Sequence, residues 1–441
     1  VPRQPFATLV AEFQERPLPR PTPRAVPLPG LPSKADALVG MRRVGKTWRM
    51  YQHMGELLGR GVAKERLLYV NLEDERLSVT AADLSELTEA WYARHPAVVD
   101  QEHWLYLDEV QNVPGWERFV RRLLDQGNVR VLVTGSSSKM LSAEIATSLR
   151  GRALSTELLP FSFLEALAHA GVAVPTVWPV GTAERARLTG AFDTYLEAGG
   201  FPEVQGLDAH LRRRVLQEYV DVAVLRDVIE RHQVTQVAAL RWLVRRLLAN
   251  PAGRFSAHRL HLDLQSQGIR VGKDTVHELL AHVEDAHLVY TLPLRSASAA
   301  RRASNPRKAY PVDPALARTA AFAKPDDVGH RLENLVYLEL RRRGVANLGY
   351  LATVDGFEVD FCGESPDGAL QLVQVCASLS DPDTRARELR ALEAALSEVP
   401  ARSATIVTLY EEDTLQVAGA TVGVVPAWRW LAEGPGGAMC G

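Results

Sequence analysis

The chain has 441 residues, 46% hydrophobic and 24% charged, with a formal net charge of −2. At roughly 100–200 residues per domain this length predicts two to four domains, and the balance excludes wholesale disorder and a basic coat for nucleic acid, leaving only local basic patches. Three cysteines, Cys362, Cys376 and Cys440, suggest neither a disulfide framework nor a structural zinc site and fit a reducing, cytoplasmic setting.

No apolar run approaches the ~20 residues of a membrane helix, so no membrane partner is expected. The opening VPRQPFATLV lacks the apolar stretch of a signal peptide. Residues 1–33 read as a proline-rich arm, because the prolines of 17–33 fix φ and remove backbone donors. Residues 34–165 alternate apolar strands at 37–39, 67–72, 104–107, 129–134 and 153–158 with helical segments, the first at 46–58. Continuous apolar strands between helices predict a parallel α/β sheet.

Residues 166–250 are helical, punctuated by Gly199-Gly200-Phe201-Pro202. In 251–322, Ser256 caps a helix carrying Leu260, Leu262 and Leu264, Gly268 breaks it, and Asp274 starts a second helix. A strand at 287–294 follows, which gives the order of a winged helix. Residues 323–441 return to α/β, with a helix at 329–342, strands at 348–352, 357–361 and 370–376, a helix at 383–397 and a strand at 404–409. The final GPGGAMCG reads as a flexible tail.

Gly40-Met41-Arg42-Arg43-Val44-Gly45-Lys46-Thr47 fits GxxxxGK[ST] without a mismatch, between an apolar strand and a helix. The glycines let backbone N–H groups close around ATP phosphates. Lys46 reaches the β/γ-phosphates, Thr47 ligates Mg²⁺, and the helix points its positive end at the anion. The strand at 104–107 ends in Asp108 and Glu109. Asp108 is the second Mg²⁺ residue, and Glu109 activates the attacking water. The strand at 129–134 offers Thr134 or Ser136 as a polar group for the water or γ-phosphate, with a plain serine-rich turn as the alternative. Arg150 or Arg152 is a candidate arginine finger for a neighbouring subunit, with a solvated surface arginine as the alternative.

VGMRRVGKT, VNLEDERL, LYLDEVQNVPGWERFV, VLVTGSSSKMLSAEIATSLRGR, LPFSFLE, EAGGFPEV and LRDVIER together resemble the AAA+-related P-loop ATPases that carry a DUF4143-type C-terminal region. The resemblance covers nearly all of the chain after residue 33. It implies that GGFPE is a lid element, with Pro202 near the adenine. Trp48 departs from the small or aliphatic residue usual in the family, a change expected to act on packing more than on phosphate chemistry.

The segment 294–308 holds Arg295, Arg301, Arg302, Arg307 and Lys308 and no acid, where a winged helix places its wing. Cations there would bind DNA phosphates without sequence preference. A solvated loop or interface is the alternative, and the acids of the candidate recognition helix oppose base reading. The C-terminal region resembles the restriction-endonuclease-like fold, with Glu333, Asp360 and Gln374-Val375-Cys376 at the positions of its helix acid, strand acid and Glu-x-Lys. Because Gln374 is a weak ligand for a hard cation and Cys376 cannot replace lysine, a nuclease fold without nuclease activity is expected.

The fold class expected is thus a P-loop NTPase, a helical and winged-helix region, and a restriction-endonuclease-like α/β domain. The function expected is an ATP-hydrolysing motor on duplex or branched DNA, assembled as a homo-oligomeric ring such as a hexamer. A nucleotide-dependent switch working through protein contacts and an ATP-dependent nuclease are the alternatives.

Overall fold

The computed structural model describes residues 5–135, 149, 151–175, 177–296, 298–319 and 328–433. The chain divides at Leu158 into two compact units, with Asp285–His287 grouped with the first.

The first unit holds a parallel sheet of β1 (Ala35–Val39), β2 (Leu67–Asn71), β3 (His103–Asp108), β4 (Val129–Gly135) and β5 (Ala153–Glu157), in the order β2-β3-β4-β1-β5. Helices cover both faces, which is why the central strands read as unbroken apolar runs. Met50, Met54 and Leu57 of α2 (Lys46–Gly59) pack on Leu38, Tyr106 and Leu132. The opposite core takes residues from α1 (Phe6–Glu15), α3 (Leu84–Arg94) and α4 (Trp116–Gln126). Among the described residues the arm thus includes a helix, with Phe6 and Val10 fully buried, and 17–31 lacks regular structure. Since β4 lies between β1 and β3, the carboxyl ends of all three strands open at one edge, where α/β sheets place their ligands.

The second unit begins with α5 (Phe163–His169), α6 (Thr182–Ala198), α7 (Ala209–Val222), which runs on into a π-helix (Ala223–Glu230), and α8 (Val237–Leu248). α9 (Ala257–Ser266) is capped as expected, the Ser256 hydroxyl accepting from Arg259 N–H at 3.2 Å. It is followed by α10 (Lys273–Asp285) and by an antiparallel sheet of β6 (Arg254–Phe255), β7 (Val289–Leu292) and β8 (Arg307–Pro311), ordered β6-β8-β7. Between β7 and β8, where the wing of a winged helix is expected, stands a short helix, α11 (Ala299–Ser304).

The rest of the unit runs α12 (Val328–Arg342), β9 (Ala346–Ala352), β10 (Glu358–Glu364), β11 (Leu370–Val375), α13 (Pro382–Glu398) and β12 (Ser403–Thr408). β9, β10 and β11 pair antiparallel, and β11 and β12 parallel, giving a mixed sheet within the α/β domain that the sequence implied. Three elements were not anticipated: β13 (Asp413–Val417), β14 (Ala420–Pro426) and α14 (Ala427–Ala432). They extend the sheet to β13-β14-β12-β11-β10-β9. The tail 434–441 lies outside the described residues. Among the described residues no helix is long and apolar enough to cross a membrane.

Candidate nucleotide site

The turn after β1 depends on glycine at two places. Gly40 has φ +148, and a Cβ on it would stand 2.3 Å from the Leu158 carbonyl oxygen. Gly45 caps α2 from the left-handed region, with φ 98. A turn of this kind ahead of a helix N-terminus forms a nest of N–H groups suited to an anion. Lys46 is buried beneath it, its Nζ donating to the carbonyl oxygens of Gly40 at 3.0 Å and Met41 at 3.2 Å. Arg42 pairs with Glu73 at 3.5 Å, Arg43 is exposed with φ 70, and Val44 is buried.

Side chains from α2, β2, β3 and β4 meet in one hydrogen-bonded network. Thr47 Oγ1 donates to Asp108 Oδ2 at 2.7 Å, and the Tyr69 hydroxyl donates to the same oxygen at 2.8 Å. Thr134 Oγ1 donates to Asp108 Oδ1 and accepts from the Glu109 N–H at 3.0 Å. Asp108 is 2% exposed, so these donors supply what water would otherwise give. Glu109 sits in the left-handed region, with φ 55 and ψ 51, and its Oε2 accepts from Gln111 Nε2. Such backbone is costly for a residue with a Cβ and is found at functional sites.

A hydroxyl and a carboxylate 2.7 Å apart are hard oxygen donors. Among the described residues no group of three or more His, Cys, Asp and Glu side chains is set to hold a metal. The pair suits a cation that takes its other ligands from phosphate and water, as Mg²⁺ does.

Sequence reasoning missed Tyr69, Gln111 and Arg24. Arg24 comes from the arm, is 6% exposed, and donates from Nη1 to the Val44 carbonyl oxygen at 2.8 Å. Its backbone exchanges hydrogen bonds with the Gln52 side chain at 2.8 and 3.2 Å, which fastens the arm to α2. No local pattern marks such a residue. Trp48 is half exposed and packs edge-on against Tyr51, its centroid 6.2 Å away.

Ser136 and Arg150 lie outside the described residues. Arg152 pairs with Asp125 on the surface, and its carbonyl oxygen accepts from Ala35 N–H at 2.8 Å, at the amino end of β1. Pro202 begins a 3-10 turn in the second unit. The preceding glycines are explained by packing: a Cβ on Gly199 would meet Asp313 Oδ1 at 1.9 Å, and one on Gly200 the Phe161 carbonyl oxygen at 2.2 Å. Asp313 accepts from Gly200 N–H at 2.6 Å, and burial pushes its carboxyl up to about 6.

The basic segment needs correction. Lys308 is 3% exposed and held by carboxylates, so it cannot meet a DNA phosphate. Arg295 is tied to Glu364 at 2.7 Å and to the Asn347 carbonyl oxygen at 2.5 Å. Arg301, Arg302 and Arg307 are exposed.

Residues 32–167 match an AAA domain family, and 189–327 match a domain of unknown function, DUF8612, where the resemblance implied a DUF4143-type region. An uncharacterised protein of Methanocaldococcus jannaschii is 33% identical over 413 residues, spanning 91% of this chain and 88% of its own. The chain belongs to the family of that archaeal protein. The chain is also similar to an uncharacterised protein of Haemophilus influenzae, 29% identical over 344 residues, covering 78% of this chain and 82% of its own. The Aeropyrum pernix ORC1 protein, solved in complex with DNA, is 14% identical, with 72% of this chain and 91% of that chain covered and a TM-score of 0.27. The AAA match encloses the phosphate loop, Asp108, Glu109 and Thr134. The P-loop fold of the first unit thus carries every residue of the network, whereas Arg301, Arg302 and Arg307 belong to the second unit.

Proposed function

We propose that the chain hydrolyses ATP and couples turnover to movement on DNA as a homo-oligomeric ring. The observation that carries this reading is the network joining Thr47, Asp108, Thr134 and Glu109 at one edge of the sheet. Lys46 would neutralise charge on the β/γ-phosphates, and Glu109 would take the proton of the attacking water. Thr47 and Asp108 would hold Mg²⁺, whose charge assists phosphoryl transfer when bound. Thr134 holds the Glu109 N–H and Asp108, and Thr134 or Ser136 would offer a polar group to the water or γ-phosphate.

The segments divide the labour as 34–165 motor, 166–250 lid with Pro202 at the adenine, 251–322 winged helix and 323–441 nuclease-like domain behind the arm 1–33. Arg301, Arg302 and Arg307 would neutralise backbone phosphates. One observation favours a nucleotide switch instead: Gln111 engages the Glu109 carboxylate, which would slow turnover.

ATPase rates over duplex, single-stranded and branched DNA at two salt concentrations test the reading. Stimulation that weakens with salt is expected. Slow turnover indifferent to DNA, with nucleotide-dependent oligomer size, would establish the switch. Glu109→Gln should bind ATP and lose turnover; full activity in that variant would refute the site.

A further inference from the structure

The second unit contains a buried charge cluster that plays no part in ATP chemistry. Lys308 leaves β8, and its Nζ lies 2.8 Å from Glu333 Oε1 on α12, 2.8 Å from Asp360 Oδ1 and 2.9 Å from Glu358 Oε1, both on β10. A lysine ammonium has three donors; here Glu333 and Asp360 each accept one, and Glu358 lies within ion-pair distance. The Tyr310 hydroxyl adds a 2.7 Å bond to the same Glu333 oxygen. Asp360 Oδ2 accepts from Val375 N–H at 3.0 Å, which locks the carboxylate to β11. Lys308, Glu333 and Asp360 are 3%, 7% and 8% exposed, and Arg254 meets Glu358 from the exposed side.

The cluster stays rich in acid. Burial and the neighbouring Asp360 push Glu333 up to about 7 despite the adjacent ammonium. Burial opposes the charge on Lys308, but Asp360 and Glu333 outweigh it and hold the proton on.

Glu333 stands on the helix before the sheet and Asp360 on its second strand, where a nuclease-type site keeps its metal carboxylates. β11 supplies nothing more. Gln374 spends its amide on Asp360 N–H at 3.1 Å and on Glu388 Oε2 at 2.5 Å, and the Cys376 thiol donates to the Ser378 carbonyl oxygen at 3.0 Å. A lysine that assists a metal must leave the convergence point of the carboxylates open. Here the nitrogen occupies that point, at distances little longer than the ~2.0–2.6 Å of hard cation–oxygen bonds. We propose that Lys308 is a built-in cation, its ammonium closing a latent divalent-cation site formed by Glu333, Glu358 and Asp360. The ammonium thereby stands where a metal would, and the domain leaves phosphodiesters intact. This inference is independent of the ATPase reading.

The test uses the nucleotide-free full chain as wild type, Asp360→Asn, Lys308→Ala and the double variant. Bound Mn²⁺ is counted by electron paramagnetic resonance, and Tb³⁺ uptake is followed by luminescence sensitised through Tyr310. Wild type and Asp360→Asn should take up Mn²⁺ equally. Lys308→Ala should gain one Mn²⁺, melt at higher temperature with it, and lose both properties in the double variant. A Mn²⁺ in wild type that Asp360→Asn removes, or plasmid nicking removed in the same way, would overturn the proposal. So would folded Lys308→Ala that gains none. If Lys308→Ala is insoluble, Lys308→Gln, which keeps a hydrogen-bond donor without the charge, is held to the same outcomes.

Discussion

Asp108 shows how much of a site lies in the hydroxyls around a carboxylate. It accepts from Thr47 and Tyr69 on one oxygen and from Thr134 on the other. Tyr69 stays a neutral donor, because burial and the adjacent Asp108 charge push its phenol far above the usual range. Hydrogen bonds to charged groups contribute about 1.5–3 kcal/mol, so Tyr69→Phe should lower stability by that order and loosen Asp108. The Mg²⁺ concentration for half-maximal ATPase should then rise, while nucleotide binding without Mg²⁺ stays unchanged. A variant with the wild-type Mg²⁺ dependence would reduce Tyr69 to a packing partner of Tyr51, whose ring lies 5.1 Å away.

Among the elements, the β13–β14 hairpin turns on Ala418 and Gly419, both left-handed, with φ 51 and 77. Two such residues make the turn that suits strand twist, and asparagine is favoured over alanine at the first. The left-handed region costs a residue with a Cβ roughly 1–2 kcal/mol. Ala418→Asn should therefore recover part of this and raise the melting temperature, and Ala418→Val should lower it; the opposite order would refute the turn. The same chemistry explains why this hairpin escaped the sequence, since Ala-Gly lacks the asparagine or aspartate signal. The parallel strands were legible because burial on both faces makes them uniformly apolar. The helix α1 carried its pattern in Phe6, Leu9, Val10 and Phe13, but the prolines that follow drew the whole arm into one extended reading. Lys308 was misread because a run of charge hides strand alternation: neighbours on β8 face opposite ways, leaving Arg307 exposed and Lys308 buried. The phosphate loop and paired acids were visible because their residues are contiguous. Tyr69 and Arg24 reach the site only through strand register and the path of the arm.

At the scale of the whole molecule, Arg152 decides whether one chain can complete its own site. Its backbone pairs with Ala35 at the amino end of β1, whereas the phosphate loop follows the carboxyl end. A five-residue strand at ~3.3 Å per residue separates them by more than an arginine side chain can bridge. Any catalytic role for Arg152 is therefore played on another copy. Its exposed pairing with Asp125 does not forbid this, because such ion pairs contribute about 0–1 kcal/mol. Arg152→Ala and Glu109→Gln should each lose turnover alone while still binding ATP. Mixed and reassembled in equal amounts, they should regain activity wherever an intact Glu109 of one meets an intact Arg152 of the other, at about a quarter of the interfaces in a ring of head-to-tail contacts. Recovery near that fraction, read as steady-state ATPase of the mixed oligomer, would place the arginine across the subunit boundary. A mixture that forms the same oligomer yet stays inactive would confine Arg152 to the surface, paired with Asp125.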